Sequence, residues 1–338
     1  HNSVNLVFIE SAILETPLKE VLLVEVLQRE MSFESKMENE RIFVRISEPA
    51  EKSQVKAVLQ IVHGMAEHSL LYMEFADFLA SHGYAVAVND HLGHGKSVSS
   101  GGSYGYFGPL GMEAVLADLH KLYEYMREEY PDVPYCMMGH SMGSFLCREY
   151  TARYGTDLSG AVYMGTCGPQ NPVLLAGELR LADHYVKKLG PRSHHPLFAK
   201  LSTERFNKAF APNRTSADWI TRDQAEVDKY VADPLCGFDF TVSAYRELIW
   251  LQKVISEDSW LERVPKPLPL LLISGDKDPL GNCGKGILKL KQRLERTGHT
   301  VQMILYPGAR HALITETNKK EVYGDLKKFL DSLVVSSS

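Results

Sequence analysis

Val133-Pro134-Tyr135-Cys136-Met137-Met138-Gly139-His140-Ser141-Met142-Gly143-Ser144 is the stretch on which the reading of this chain turns. Val133–Met138 reads as a short apolar strand, Ser144–Tyr154 as an apolar-periodic helix, and the link between them is a G-x-S-x-G pentapeptide. Glycine makes up about 7% of ordinary chains, so a bare G-x-S-x-G arises by accident, as a glycine-rich turn, in roughly one chain in ten of this length. The placement between strand and helix is what gives it meaning. Such a link must be sharp: the glycines supply close packing, and the serine is held exposed above the carboxyl end of a sheet. Ser141 is therefore the expected nucleophile.

The pattern on either side suits that placement. Ala57–Val62 is a mostly apolar run, Tyr72–His82 is helical in its spacing, and Tyr84–Val88 is apolar again before the turn-rich Asn89–Gly95. Gly111–Tyr130 is the clearest helix, with Ala114, Leu116, Leu119, Leu122 and Tyr123 as its stripe, and Gly160–Met164 is the next strand. This alternation predicts a mostly parallel sheet with helices on both faces. From Gly168 to Val264 it stops, and the chain becomes helical with polar interruptions; all three tryptophans, Trp219, Trp250 and Trp260, fall there. The rhythm returns with strand Pro269–Ser274, a helix near Gly286–Thr297, strand Val301–Tyr306 and a helix near Lys319–Leu333. The expected domains are a core of 31–167 and 265–338 interrupted by a helical insertion at 168–264. Residues 1–30 are expected to be an N-terminal extension, in part not native, with Leu14, Leu18, Val21 and Leu22 at helical spacing.

Composition narrows the class. An apolar fraction of 44% and a charged fraction of 23% are those of a globular chain, and a net charge of −5 without any basic block excludes a phosphate-backbone partner. The five cysteines lack regular spacing and form no CxxC pair, which suits reduced thiols in a cytoplasm. No apolar run approaches the ~18 residues that span a bilayer, and no signal peptide is visible. His194-His195 lacks companion ligands and is expected to face solvent; no metal and no nucleotide or flavin cofactor is implied.

A serine hydroxyl needs a base. Of the thirteen histidines, His311 lies in the loop immediately after the last predicted strand, at the carboxyl end of the sheet. The base in turn needs a carboxylate, expected in the loop after the preceding strand, where Gly275-Asp276-Lys277-Asp278-Pro279 offers two. One of the two aspartates is free to brace the turn. The order Ser, Asp, His is that of the α/β-hydrolase arrangement. Two backbone donors must face the tetrahedral intermediate, and the expected pair is the N–H groups of Met142, after the nucleophile, and Met65, in His63-Gly64-Met65-Ala66-Glu67-His68 after the strand 57–62.

With these residues in view, the sequence resembles the monoacylglycerol lipase and lysophospholipase branch of the α/β-hydrolases, the group labelled serine aminopeptidase S33-like. The matching pieces are His63-Gly-Met-Ala-Glu-His68, Asn89-Asp-His-Leu-Gly-His-Gly-Lys-Ser97, Gly139-His-Ser-Met-Gly143, Gly275-Asp-Lys-Asp278 and Gly308-Ala-Arg-His311. The resemblance implies an α/β-hydrolase fold, Asp278 rather than Asp276 as the triad carboxylate, Asp90 and His91 as braces, and the insertion as a cap. Ser144 departs from the family, which carries glycine there.

The expected activity is hydrolysis of a single-chain acyl ester, a monoacylglycerol or lysophospholipid, with transient contact to a lipid surface as a further expectation. An aminopeptidase or amidase is the alternative, and would need acidic residues such as Glu178, Asp223, Glu226 or Asp228 over the site. A silent binding protein on this fold is disfavoured by the complete Ser141, Asp278 and His311 set. Some of Leu174, Leu175, Leu179, Leu181, Leu197, Phe198, Leu201, Leu248, Trp250 and Leu251 are expected to line an acyl pocket.

Overall fold

The computed structural model of the chain describes residues 4–6 and 24–335; the helical spacing at 14–22 lies outside them. Its strands are β1 (Val4–Leu6), β2 (Val26–Glu34), β3 (Arg41–Pro49), β4 (Ala57–Val62), β5 (Tyr84–Asn89), β6 (Tyr135–His140), β7 (Gly160–Met164), β8 (Leu270–Gly275) and β9 (Val301–Tyr306). The helices are α1 (Met73–Ala80), α2 (Met112–Glu129), α3 (Met142–Tyr154), α4 (Pro172–Leu189), α5 (Pro196–Leu201), α6 (Thr203–Lys208), α7 (Gln224–Ala232), α8 (Val242–Ser256), α9 (Asp258–Arg263), α10 (Lys285–Arg296) and α11 (Lys319–Val335). The strands form one sheet in the order β1-β2-β3-β5-β4-β6-β7-β8-β9. β5, β4, β6, β7, β8 and β9 are parallel, while β1, β2 and β3 pair antiparallel at one edge.

The central strands are buried on both faces, so their sequences read as continuous apolar runs. Their alternation still sorts side chains into two cores. Val58, Met137, Tyr163, Leu270 and Leu272 point to α2, α3, α8 and α10. Leu59, Met138, Val162, Leu271 and Ile273 point to α1 and α11, where Phe75, Leu79, Leu326 and Phe329 meet them. No described helix is long and apolar enough to cross a membrane.

Two features differ from the sequence expectation. β6 is displaced to Tyr135–His140, because Pro134 has no N–H to give the ladder and pairing with β4 and β7 extends through Gly139 and His140. The hairpin of β2 and β3 escaped the sequence reading altogether. β3 alternates charged or aromatic outward positions (Arg41, Phe43, Arg45) with buried Ile42, Val44 and Ile46, and β2 runs through residue 30, where the extension was expected to end. Arg29 of β2 reaches Glu48 of β3 at 2.7 Å.

Between β7 and β8 lie the six helices α4 to α9. One side chain ties both ends of this insertion to the core. Arg148, in the middle of α3 and fully buried, donates to Cys167 O at 3.0 Å, just before the insertion, and to Ile255 O at 2.7 Å, near its end. Trp260 Nε1 donates back to Arg148 O at 2.8 Å, and the guanidinium lies 4.5 Å from the Trp260 ring. No carboxylate among the described residues pairs with Arg148, so hydrogen bonds to neutral groups and the Trp260 ring offset the cost of its burial. Replacing Arg148 by Met strands two buried carbonyls, and we expect urea unfolding to show a loss of about 2–4 kcal/mol.

Candidate active site

The turn from β6 into α3 explains its own sequence. A Cβ on Gly139 would lie 2.1 Å from Gly143 O, and one on Gly143 would lie 2.0 Å from Val62 O, so only glycine lets β6, α3 and β4 approach this closely. Between them Ser141 takes φ 55°, a region costly for a side-chain-bearing residue, and its N–H is held by Met164 O at 3.0 Å. Ser144 closes the turn, its hydroxyl donating to Ser141 O at 2.6 Å. That hydrogen bond is what the departure from glycine at 144 supplies.

His311 and Asp278 meet at the carboxyl ends of β8 and β9. His311 Nδ1 donates to Asp278 Oδ2 at 2.9 Å, with Asp278 fully buried. Leu280 N–H fixes the other carboxylate oxygen at 2.9 Å. Asp276 is turned elsewhere: it accepts from Gly308 N–H at 2.8 Å and stiffens the turn. His311 Nε2 is buried and has no hydrogen-bond partner among the described residues, and its ring lies 4.6 Å from that of Trp219. Ser141 and His311 line the same cavity, and no Ser141–His311 hydrogen bond links them.

Met142 is the first residue of α3, where an N–H has no partner within the helix. Met65 lies in the loop after β4, whose Gly64 approaches Ser141 so closely that a Cβ there would lie 3.0 Å from the serine Cβ. Three neutral histidines hold this loop, one of them His91, whose Nε2 donates to His63 O at 3.1 Å. His63 Nδ1 donates to Gly64 O at 2.8 Å while its Nε2 accepts from His91 N–H at 3.0 Å. His94 Nε2 accepts from Ala66 N–H at 3.2 Å while its Nδ1 donates to Leu92 O at 3.0 Å. Asp90 accepts from Ser69 N–H at 2.7 Å and Lys96 N–H at 2.8 Å, joining the loop to the segment after β5.

Two residues that the sequence reading left without a role stand beside the serine. Glu67 accepts from Gly64 N–H and, at 2.5 Å, from the Tyr72 hydroxyl, and lies 3.1 Å from His140 Nδ1. Burial pushes Glu67 upward, but the His140 charge and these hydrogen bonds outweigh it and hold the carboxyl down at about 2. The His140 ring is 4.8 Å from that of His311. Trp219 and Ile220, from the insertion, were also unread; Ile220 O accepts from Ala312 N–H at 2.7 Å and so fixes the loop carrying His311. Glu67 carried a signal in the motif His63–His68, whereas the insertion residues had none.

The cavity over Ser141 is about 840 Å³. Leu174, Leu175, Leu181, Phe198, Leu201 and Leu248 line it; Leu179, Leu197, Trp250 and Leu251 do not. Of the four acidic residues considered for an ammonium, only Glu178 lines it. Asp223 caps α7, Glu226 pairs with Lys229 and Asp228 with Arg214. His194 is exposed, but His195 corrects the expectation for that pair: it is half-buried, caps α5 and lies 4.2 Å from the Tyr185 ring.

The histidine cluster makes the site acid-sensitive. Burial, with neighbouring histidines, lowers His63 and brings His91 from 6.5 to about 3; burial brings His94 from 6.5 to about 4. The unfolded chain therefore takes up protons first as pH falls, so stability is full above 6.5 and is lost between 6.5 and about 4, by about 3 kcal/mol from His94 alone. Glu67, with its lowered value, acts in the same direction below 4.5. Urea midpoints measured across this range should fall with pH, and His94→Gln should flatten the fall.

Comparison with known proteins gives the family. Residues 53–318 match the family described as serine aminopeptidase, S33. A monoacylglycerol lipase of Mycolicibacterium smegmatis is 27% identical over 282 residues, covering 82% of this chain and 89% of that protein. A mouse (Mus musculus) monoglyceride lipase is 29% identical over 266 residues, 77% of each. The crystal structure of a thermostable carboxyl esterase from Bacillus coagulans in complex with glycerol superposes with a TM-score of 0.85 at 29% identity, over 91% of this chain and 99% of that one. A soluble variant of the Saccharomyces cerevisiae monoglyceride lipase gives 0.70 at 19% identity, a likeness of fold. The chain thus belongs to the serine aminopeptidase S33 family, as an α/β-hydrolase of the lipase and esterase type.

Proposed function

We propose that the chain hydrolyses single-chain acyl esters, of the monoacylglycerol or lysophospholipid kind, through an acyl-enzyme on Ser141. The observation that carries this reading is the opening of the elbow serine and of His311, paired behind the cavity wall with Asp278, into one cavity lined in part by leucines and Phe198. Ser141 Oγ attacks the carbonyl carbon as its proton passes to His311 Nε2, and the Met65 and Met142 N–H groups receive the oxyanion. The imidazolium, stabilised by Asp278, then protonates the departing alcohol. Water repeats the sequence on the acyl-enzyme, and the fatty acid leaves with Ser141 restored.

The insertion serves as a cap in this account, its leucines and Phe198 taking the acyl chain. A drug-sized ligand site is of about 300–1,000 Å³, and the volume here fits one chain rather than three. At the start of α4, Val173 and Leu174 are 80% and 59% exposed, a surface suited to transient contact with lipid. Of the four carboxylates weighed for the aminopeptidase reading only Glu178 lines the cavity, beside Glu67, Glu204 and Asp239, and burial raises the Glu178 carboxyl, which weakens it as an anchor for an ammonium.

Ser141→Ala should abolish both turnover and labelling by a fluorophosphonate probe. Asp278→Asn should cost on the order of 10⁴ in turnover, whereas Asp276→Asn should cost far less; the reverse order would reassign the carboxylate.

A graded series of p-nitrophenyl esters should show kcat/KM rising several-fold per two-carbon step, at about 0.8 kcal/mol per buried methylene, until the pocket is full. A steady fall from acetate upward, or aminoacyl anilides outpacing every ester, would overturn the substrate assignment.

A further inference from the structure

Away from Ser141, three donors of different chemistry converge where the loop after β4 meets the segment following α7. His68 Nε2 donates to Asp233 Oδ2 at 2.9 Å. A ring nitrogen of His68, a carboxylate oxygen of Asp233 and Cys236 Sγ all lie within 4.8 Å of one another. Bound at about 2.0–2.3 Å around one cation, such donors form a tetrahedron with edges of roughly 3.3–3.8 Å, which needs shifts of only a few tenths of an ångström to about one.

The surroundings preset this arrangement. Leu235 N–H holds Asp233 Oδ1 at 2.8 Å, which leaves Oδ2 directed at His68. Cys236 N–H donates to Asp233 O at 3.0 Å, and Gly237 N–H to Ala66 O at 2.9 Å, so the turn 233–237 is built before any ion arrives. Asp233 is the C-cap of α7, the end at which the helix dipole favours positive charge. The buried Glu67 carboxylate is adjacent in sequence to His68. Burial, then the charges of Asp233 and Glu67, push the Cys236 thiol up, so it keeps its proton until a cation compensates it. His68 is buried, while Asp233 and Cys236 are half-buried and leave a path for solvent.

We propose that His68, Asp233 and Cys236 form a site for a borderline-soft divalent cation of the zinc class, with solvent as the fourth ligand. One oxygen, one imidazole and one thiol suit zinc and not magnesium or calcium, which require mostly oxygen donors. On loading, the His68 proton moves from Nε2 to Nδ1, the Cys236 thiol releases its proton to solvent, and sulfur, nitrogen and oxygen each give an electron pair to the metal. The separation of 165 positions between His68 and Asp233 explains why no ligand motif is visible in the sequence. An ion here cross-links the loop that carries Met65 to the insertion, beside the strained Ala66 at φ 52°.

The test titrates the purified full-length chain with Zn²⁺ against a chromophoric chelator and with Co²⁺ by absorption. We expect one tight equivalent per chain, a thiolate-to-cobalt charge-transfer band, and protection of Cys236 from alkylation. Cys236→Ser should lose the band, and Cys236→Ser and Asp233→Asn should each weaken binding at least tenfold, whereas Cys283→Ser, at an exposed thiol, should change neither. Absence of a tight equivalent, or an equivalent and band that persist in Cys236→Ser, would overturn the assignment.

Discussion

Everything in this molecule depends on how closely three backbones approach at one point. β4, β6 and the first turn of α3 come together through Gly139 and Gly143, at separations that admit no Cβ. That contact forces Ser141 into its positive φ and lifts the side chain clear of the sheet. The same contact places Gly64, just after β4, against the serine, so Ser141 and the loop that carries Met65 are positioned by a single packing event. The strain in Ser141 persists because the surrounding strands over-determine it.

The insertion is not an independent lid resting on a finished site. Trp219 lies against His311, Ile220 O holds the backbone beyond it, and Arg310 in turn donates to Asp218 O. On the opposite side, Tyr230 O–H and Gly237 N–H both donate to Ala66 O. The loop of His311 and the loop of Met65 are thus each completed by insertion residues. Movement of the insertion is felt at both.

The parallel core was legible because strands buried on two faces leave apolar runs, and β4 and β7 fall where those runs lie. The elbow was legible because its glycines are required by sterics, and His311 because loops at the carboxyl ends of β8 and β9 have few other places to go. Choosing Asp278 over Asp276 needed family likeness, since both stand in one turn and either can cap it. β2 and β3 went unread because a half-buried strand leaves no apolar run: in β3 Arg41, Phe43 and Arg45 interrupt Ile42, Val44 and Ile46. Trp219 acts through His311, distant in sequence, and nothing local marks it.

Arg148 has a consequence for how such a chain can change over time. Because one guanidinium gathers the carbonyls of Cys167 and Ile255, the insertion enters and leaves the core at nearly the same place. The stretch between is an excursion whose length and composition the sheet does not register. An excursion of different length or composition can therefore join the same core at the same two points without disturbing the sheet beneath it.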